Sequence, residues 1–126
     1  MSGRSYAFFP RQTLLQEGNT DTLYYSETFD LQAETSFMLE MRPYAVAGTT
    51  PSIEVFLQTS NTLHAADAEW TDDLAFPAVT SGGGAPIRVF VPSPGQPLGR
   101  YGRVMVKLTG TDVGYTFEVL GIARSD

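Results

Sequence analysis

The sequence predicts an all-β fold, an antiparallel β-sandwich of jelly-roll type with about eight strands. Three observations predict it. Apolar residues alternate with polar ones over several stretches, which is the period of a strand. Twelve Gly and eight Pro recur along the chain, so few windows hold more than two helical turns without a breaker. The 126 residues suit one domain, and a chain of this size buries roughly two-thirds of its unfolded surface, enough for a core without staples.

The elements follow in order. Residues 6–16 form the first strand. Its start, Ser5-Tyr6-Ala7-Phe8-Phe9-Pro10, is aromatic and then broken by proline. Exposed apolar area costs ~25 cal/mol per Å², so Tyr6, Phe8 and Phe9 need cover. Residues 1–20 are therefore either an edge strand or an arm that reaches a neighbouring subunit, and 21–126 form a single sandwich domain. In 23–31, Leu23, Tyr25, Phe29 and Leu31 share one parity, and Phe37, Leu39 and Met41 do so in 35–45. Further strands are expected at 52–59, 69–76, 86–91, 99–109 and 113–124. Several carry charges on one face and apolar residues on the other, as in an antiparallel sheet with one wet side.

Turn chemistry separates the runs. Ala47-Gly48-Thr49-Thr50-Pro51 links two strands, and Thr109-Gly110-Thr111-Asp112 reads as a short hairpin turn. Ser81-Gly82-Gly83-Gly84-Ala85-Pro86 is a flexible turn, and Pro92-Ser93-Pro94-Gly95-Gln96-Pro97 a stiffer loop. The Gly48-Thr49-Thr50 and Gly110-Thr111-Asp112 segments echo one another, each ahead of a strand carrying Glu-Val. Two hairpins that solve one geometric problem explain the echo better than a repeat array.

Charge narrows the function classes. Eight basic and fourteen acidic residues give a net charge of −6, the wrong sign for a polyanion such as nucleic acid. The only locally basic stretch runs from Arg100 through Arg103 to Lys107. It reads either as a solvated strand face or as an electrostatic contact to an acidic partner. The absence of cysteine excludes disulfides, thiolate nucleophiles and Cys-type zinc sites. No secretory signal is expected at residues 1–10, and no 18-residue apolar run predicts a membrane span.

Candidate chemistry is sparse. The single histidine, His64, lies in a polar loop with no nucleophile elbow in the chain. Asp67, Glu69, Asp72 and Asp73 cluster around Trp70, but without the spacing of a calcium loop. The glycine-rich 81–85 segment lacks the Lys-Ser/Thr ending of a phosphate cradle. Trp70, Tyr44, Tyr24 and Tyr101 are the only candidate sugar platforms, and Trp70 suits packing against the sheet better.

From Thr35 to Arg124 the chain resembles small β-sandwich structural proteins of tailed bacteriophages. The residues that carry the resemblance are Ser36-Phe37-Met38-Leu39-Glu40, Gly48-Thr49-Thr50-Pro51-Ser52-Ile53-Glu54-Val55, Gln58-Thr59-Ser60-Asn61 and Trp70. They continue with Gly99-Arg100-Tyr101-Gly102-Arg103-Val104-Met105-Val106 and Tyr115-Thr116-Phe117-Glu118-Val119-Leu120-Gly121. The loop from Asn61 to Trp70 is longer than in that pattern, and Gly102 stands where an apolar or basic residue is usual. The closing Arg-Tyr strand is also similar to that of ligand-binding jelly rolls. The resemblance implies a capsid decoration or head-accessory protein: non-enzymatic, without cofactor or metal, located on the virion capsid surface. It implies capsid or other virion proteins as partners and a homo-oligomer, trimer or dimer. Tyr6, Phe8, Phe9, Arg100, Arg103 and Lys107 are the expected partner-binding residues. A carbohydrate-binding jelly-roll module is the alternative.

Overall fold

A computed structural model describes residues 2–31, 36–62, 66, 69–83, 86–91 and 100–125. These residues form strands and loops, and no helix among them is long and apolar enough to cross a membrane. Seven strands make one antiparallel sheet: β1 (Ser2–Leu15), β2 (Thr22–Tyr25), β3 (Phe29–Asp30), β4 (Ser36–Ser60), β5 (Thr71–Ala75), β6 (Ile87–Val91) and β7 (Tyr101–Ser125). The all-β antiparallel fold class of the sequence reading therefore describes the molecule.

The central feature is the pairing of β4 with β7. Each is 25 residues long, and they run antiparallel from Ser36↔Arg124 to Ser60↔Tyr101. The register shifts only around residues 43–52. At that point both strands bend. Gly48 (φ +114°) and Thr50 (φ +46°) on β4 face Gly110 (φ +129°) and Asp112 (φ +51°) on β7, with Thr49 opposite Thr111. The two Gly-Thr segments that echo each other in the sequence are thus partners across one kink. The expected hairpin at 109–112 and the expected link at 47–51 are not chain reversals. Each segment finds its hydrogen-bond partner on the other strand, so the chain bends there and continues.

The remaining strands attach to one half of this ribbon or the other. β1 pairs with Gly114–Ser125 of β7, and β6 pairs with Phe37–Met41 of β4. This is the first half-sheet. β2 and β3 pair with Tyr101–Leu108 of β7, and β5 pairs with Phe56–Thr59 of β4. This is the second half-sheet. Beyond β5, Phe76 and Val79 continue along β4 through hydrogen bonds to Val55 and Ile53.

The kink folds the two half-sheets onto each other. The ring of Phe29, in the second half, lies 5.4 Å from Tyr6 and 5.2 Å from Phe8 of β1, in the first. Those pairs sit far from the kink along the ribbon, so the halves must face each other there. The alternating residues of both halves meet between them. Leu39, Met41, Ile53, Val55, Leu57, Val104, Val106, Leu108, Val113, Tyr115, Phe117 and Val119 are all at most 1% exposed. Instead of two separate sheets, one continuous sheet encloses the core on two sides, because β4 and β7 each serve both halves.

Residues 2–15 are an edge strand of this sheet. Tyr6, Phe8 and Phe9 are 7%, 3% and 5% exposed, covered by Phe29 and Phe117 of the same chain. The successive Phe8 and Phe9 both point inward because the register shifts between Ala7 and Phe9. Leu23 and Tyr25 point outward, at 45% and 38% exposure. In β2 it is Tyr24 that packs on the core.

Gln16 pins the kink from the side. Its side chain donates to Gly110 O (2.8 Å) and Thr20 O (3.1 Å) and accepts from Val113 N (3.1 Å). Its own amide donates to Val113 O at 2.8 Å. The polar cost of burying Gln16 is thereby met in full.

Two predictions follow from this packing. A Cβ on Gly110 would lie 2.7 Å from Thr50 O, at a φ that L-residues avoid. Gly110→Ala is expected to lower stability by roughly 1–3 kcal/mol, seen as a lower urea midpoint at unchanged slope. The second concerns Tyr115, whose buried Oη has no hydrogen-bond partner among the described residues. Burial pushes this phenol well above its ordinary value of 10.0. The unfolded chain therefore releases this proton first, and stability falls as pH rises above about 10. Tyr115→Phe is expected to keep or raise stability at pH 7 and to flatten the alkaline decline in pH-dependent urea melts. A variant that loses stability at pH 7 would show that the hydroxyl is satisfied.

Candidate functional site

With the inner faces filled, chemistry is left to the two outer faces. The parity that buries Leu39 and Met41 sends Met38, Glu40 and Arg42 outward on β4. The register then fixes their neighbours. Glu40 sits opposite Arg88 of β6 on one side and Leu120 of β7 on the other. Leu120 sits opposite Ala7 of β1, and Met38 opposite Ile122.

These residues line a concavity of about 410 Å³ that spans all four strands of the first half-sheet. Its apolar lining comes from Ala7, Met38, Leu120 and Ile122, and its charged lining from Glu40, Arg42 and Arg88. Ile122 is 41% exposed. Glu40 is the buried anchor, its side chain only 8% exposed. Its two oxygens take Arg42 Nε at 2.7 Å and Arg88 Nε at 2.6 Å. The bond from Arg88, then that from Arg42, holds the carboxyl below the usual range against the opposing effect of burial.

The network extends sideways. Arg42 Nη1 lies 3.5 Å from Glu118. Glu118 also accepts from Tyr44 Oη at 2.7 Å, and the Arg11 guanidinium lies over the Tyr44 ring at 4.1 Å. Three arginines and two glutamates thus share this face.

The outer face of the second half-sheet is built differently. Tyr25, Met105, Phe56 and Ala75 stand in register across β2, β7, β4 and β5, an apolar row with Tyr25 and Ala75 exposed. Beside it, Arg103 is only 8% exposed. Its guanidinium lies 4.1 Å from the Tyr25 ring centre and 4.4 Å from that of Trp70. Its Nε donates to Gln58 Oε1 at 2.9 Å, and Gln58 Nε2 donates to Asp72 at 2.8 Å. A planar cation between two rings suits Arg and not Lys.

The residues singled out from sequence fall in different places. Tyr6, Phe8 and Phe9 lie in the chain's own core. Arg103 is locked beneath the two rings. Arg100 is 60% exposed and reaches Asp30 at 3.3 Å, and Lys107 Nζ is 3.7 Å from Asp21. The basic stretch is thus divided among separate partners and forms no common patch. His64 and Asp67 lie outside the described residues. Glu69 accepts from the Ala66 amide at 2.8 Å, while Asp72 serves Gln58. Among the described residues no acidic or histidine group is gathered as a metal site. Trp70 is 9% exposed and carries the Arg103 guanidinium against its ring. Tyr24 spends its hydroxyl on Leu15 O at 2.5 Å. In the glycine-rich segment, Gly82 passes so close to β4 that a Cβ would lie 2.6 Å from Ala45 Cα, which explains the glycine there without a phosphate.

Glu40, Arg42 and Arg88 were not among the residues singled out. Glu40 and Arg42 share a strand face at i and i+2, a visible signal, but Arg88 joins them only through the β4–β6 register. No protein-family model, curated protein or solved structure matches the chain.

Trp70 is the only tryptophan, so its fluorescence reports the Arg103 contact directly. Arg103→Ala is expected to shift its emission to the red and to lower stability by about 1–3 kcal/mol. An unchanged spectrum would show that other groups bury the indole.

Proposed function

We propose that the chain is a non-enzymatic structural protein that docks on a larger protein lattice, the capsid of a virion, as a decoration or head-accessory protein. The observation that carries this reading is the character of the outer faces. Both present apolar side chains outward in register, Met38–Ile122 and Leu120–Ala7 on one face and Tyr25–Met105–Phe56–Ala75 on the other. Ion pairs and hydrogen-bonded polar groups flank them. An apolar centre with a polar rim is the anatomy of a protein interface. A continuous core on two sides of a folded sheet makes such faces rigid, and a rigid face loses little entropy on docking. The sequence resemblance points to the same class, and a repeated lattice gives weak individual contacts the benefit of avidity. A trimer or dimer of the chain fits this role.

The test is peptide mass analysis of washed, purified virions from cells that carry the gene. Peptides of this chain are expected in a fixed ratio to the shell protein. Their absence from intact particles would overturn the reading.

A further inference from the structure

The concave face of the first half-sheet goes further, because its charges are arranged for a definite kind of ligand. Glu40 grips Arg42 and Arg88 at Nε. That leaves the outer end of the Arg88 fork toward solvent, while Arg42, whose Nη1 also lies 3.5 Å from Glu118, keeps part of its fork exposed beside it; the two side chains are 59% and 43% exposed. Two guanidiniums tied to one buried carboxylate have already lost much of their side-chain freedom. They are preorganised to receive an oxyanion, which the planar fork binds through paired N–H donors.

The electrostatic setting agrees. Among the described side chains Arg11, Arg42 and Arg88 outnumber Glu40 and Glu118 on this face, an excess of one positive charge on a chain of −6. Beside the arginines lies the apolar strip of Ala7, Met38, Leu120 and Ile122. The concavity of about 410 Å³ holds a few side chains, not a folded domain.

From this juxtaposition we propose that the face is a receptor for an extended acidic-apolar segment of a partner protein. One Asp or Glu carboxylate bridges Arg42 and Arg88, and its apolar neighbours lie on Leu120 and Ile122. This deepens the docking reading and rests on it for the partner's origin. Charge complementarity selects the occupant: a basic segment would meet Arg42 and Arg88, and a purely apolar one would leave their forks unanswered.

The test titrates the isotope-labelled full chain with three probes, followed by NMR. They are an acetylated hexapeptide of alternating Glu and Leu, its Lys-Leu counterpart, and octanoate. The Glu-Leu peptide is expected to shift the Arg42 and Arg88 Nε–H signals and the Leu120 and Ile122 amides, saturably, with binding that weakens as salt rises. Arg88→Gln is expected to weaken it at least tenfold. Ile122→Asp, at an exposed position that leaves the Glu40 cluster intact, is expected to do the same by repulsion, so a folding defect in one variant does not decide the matter. Shifts elsewhere, equal binding of the Lys-Leu peptide, or tighter binding of octanoate would overturn the proposal, the last in favour of a small amphiphile. Peptide binding in a chain absent from virions would refute only the capsid assignment. A chain present in virions without peptide binding would refute only this receptor.

Discussion

The paired kink in the β4–β7 ribbon is the constraint on which everything else in the structure rests. A ribbon of two 25-residue strands has one face to bury and nothing to bury it against while it stays straight. Bending both strands at the same level turns one half of that face onto the other. Each strand bends with the same device, a glycine at large positive φ followed two residues later by a left-handed residue, Thr50 on β4 and Asp112 on β7. Gln16 then closes the bend by satisfying Gly110, Val113 and Thr20 at once. Every other strand is attached to one half, so the position of the kink determines which strands share a half-sheet.

The register inherits the same rigidity. A slip of one residue between β4 and β7 would turn the buried residues of the slipping strand outward on both halves together. On whichever strand slips, Leu39 or Tyr115 would turn to an outer face, and Glu40 or Arg103 would be driven from its partners into the apolar core. The penalty is large because both halves would suffer it, and this is why the outer faces can carry so many specific side-chain contacts. Arg103 meets Gln58 only in this register, while Glu40 meets Arg88 through the register of β6 on β4.

The two outer faces put arginine to different uses. On the second half-sheet Arg103 is a structural cation, flattened between rings and bonded to Gln58. On the first half-sheet Arg88 is tied to Glu40 at Nε and open at its outer end, and Arg42 is tied to Glu40 at Nε and to Glu118 through Nη1 but stays partly exposed. Only seven arginines and one lysine serve a chain with fourteen Asp and Glu carboxylates, and Arg11, Arg42, Arg88, Arg100, Arg103 and Lys107 are drawn to carboxylates or aromatic faces. That distribution leaves most of the excess negative charge elsewhere, so the arginine face stands out electrostatically from the rest of the molecule.

Though Leu23 and Tyr25 proved to face outward, the strand class and most of the alternating core were legible in the sequence. They depend on local rules: a period of two, proline and glycine as breakers, and the cost of leaving Tyr6, Phe8 and Phe9 in water. Leu39, Ile53, Val104 and Phe117 could be placed in a core from their spacing alone. Whether residues 1–20 held an arm or an edge strand could not be read, since cover for an aromatic is the same physical need whichever chain supplies it. Gly110 also read as a turn, because the backbone freedom that reverses a chain is the freedom that bends it. Only the tertiary structure decided between these, through the register that set Thr49 opposite Thr111. The separate β4–β6 register brought Arg88 to Glu40, 48 positions away, and the strand order β7-β4-β5 sent Trp70 to Arg103. Residues that meet across strands leave no trace in local periodicity, because the pairing energy depends on which strands lie side by side and not on the spacing within either one.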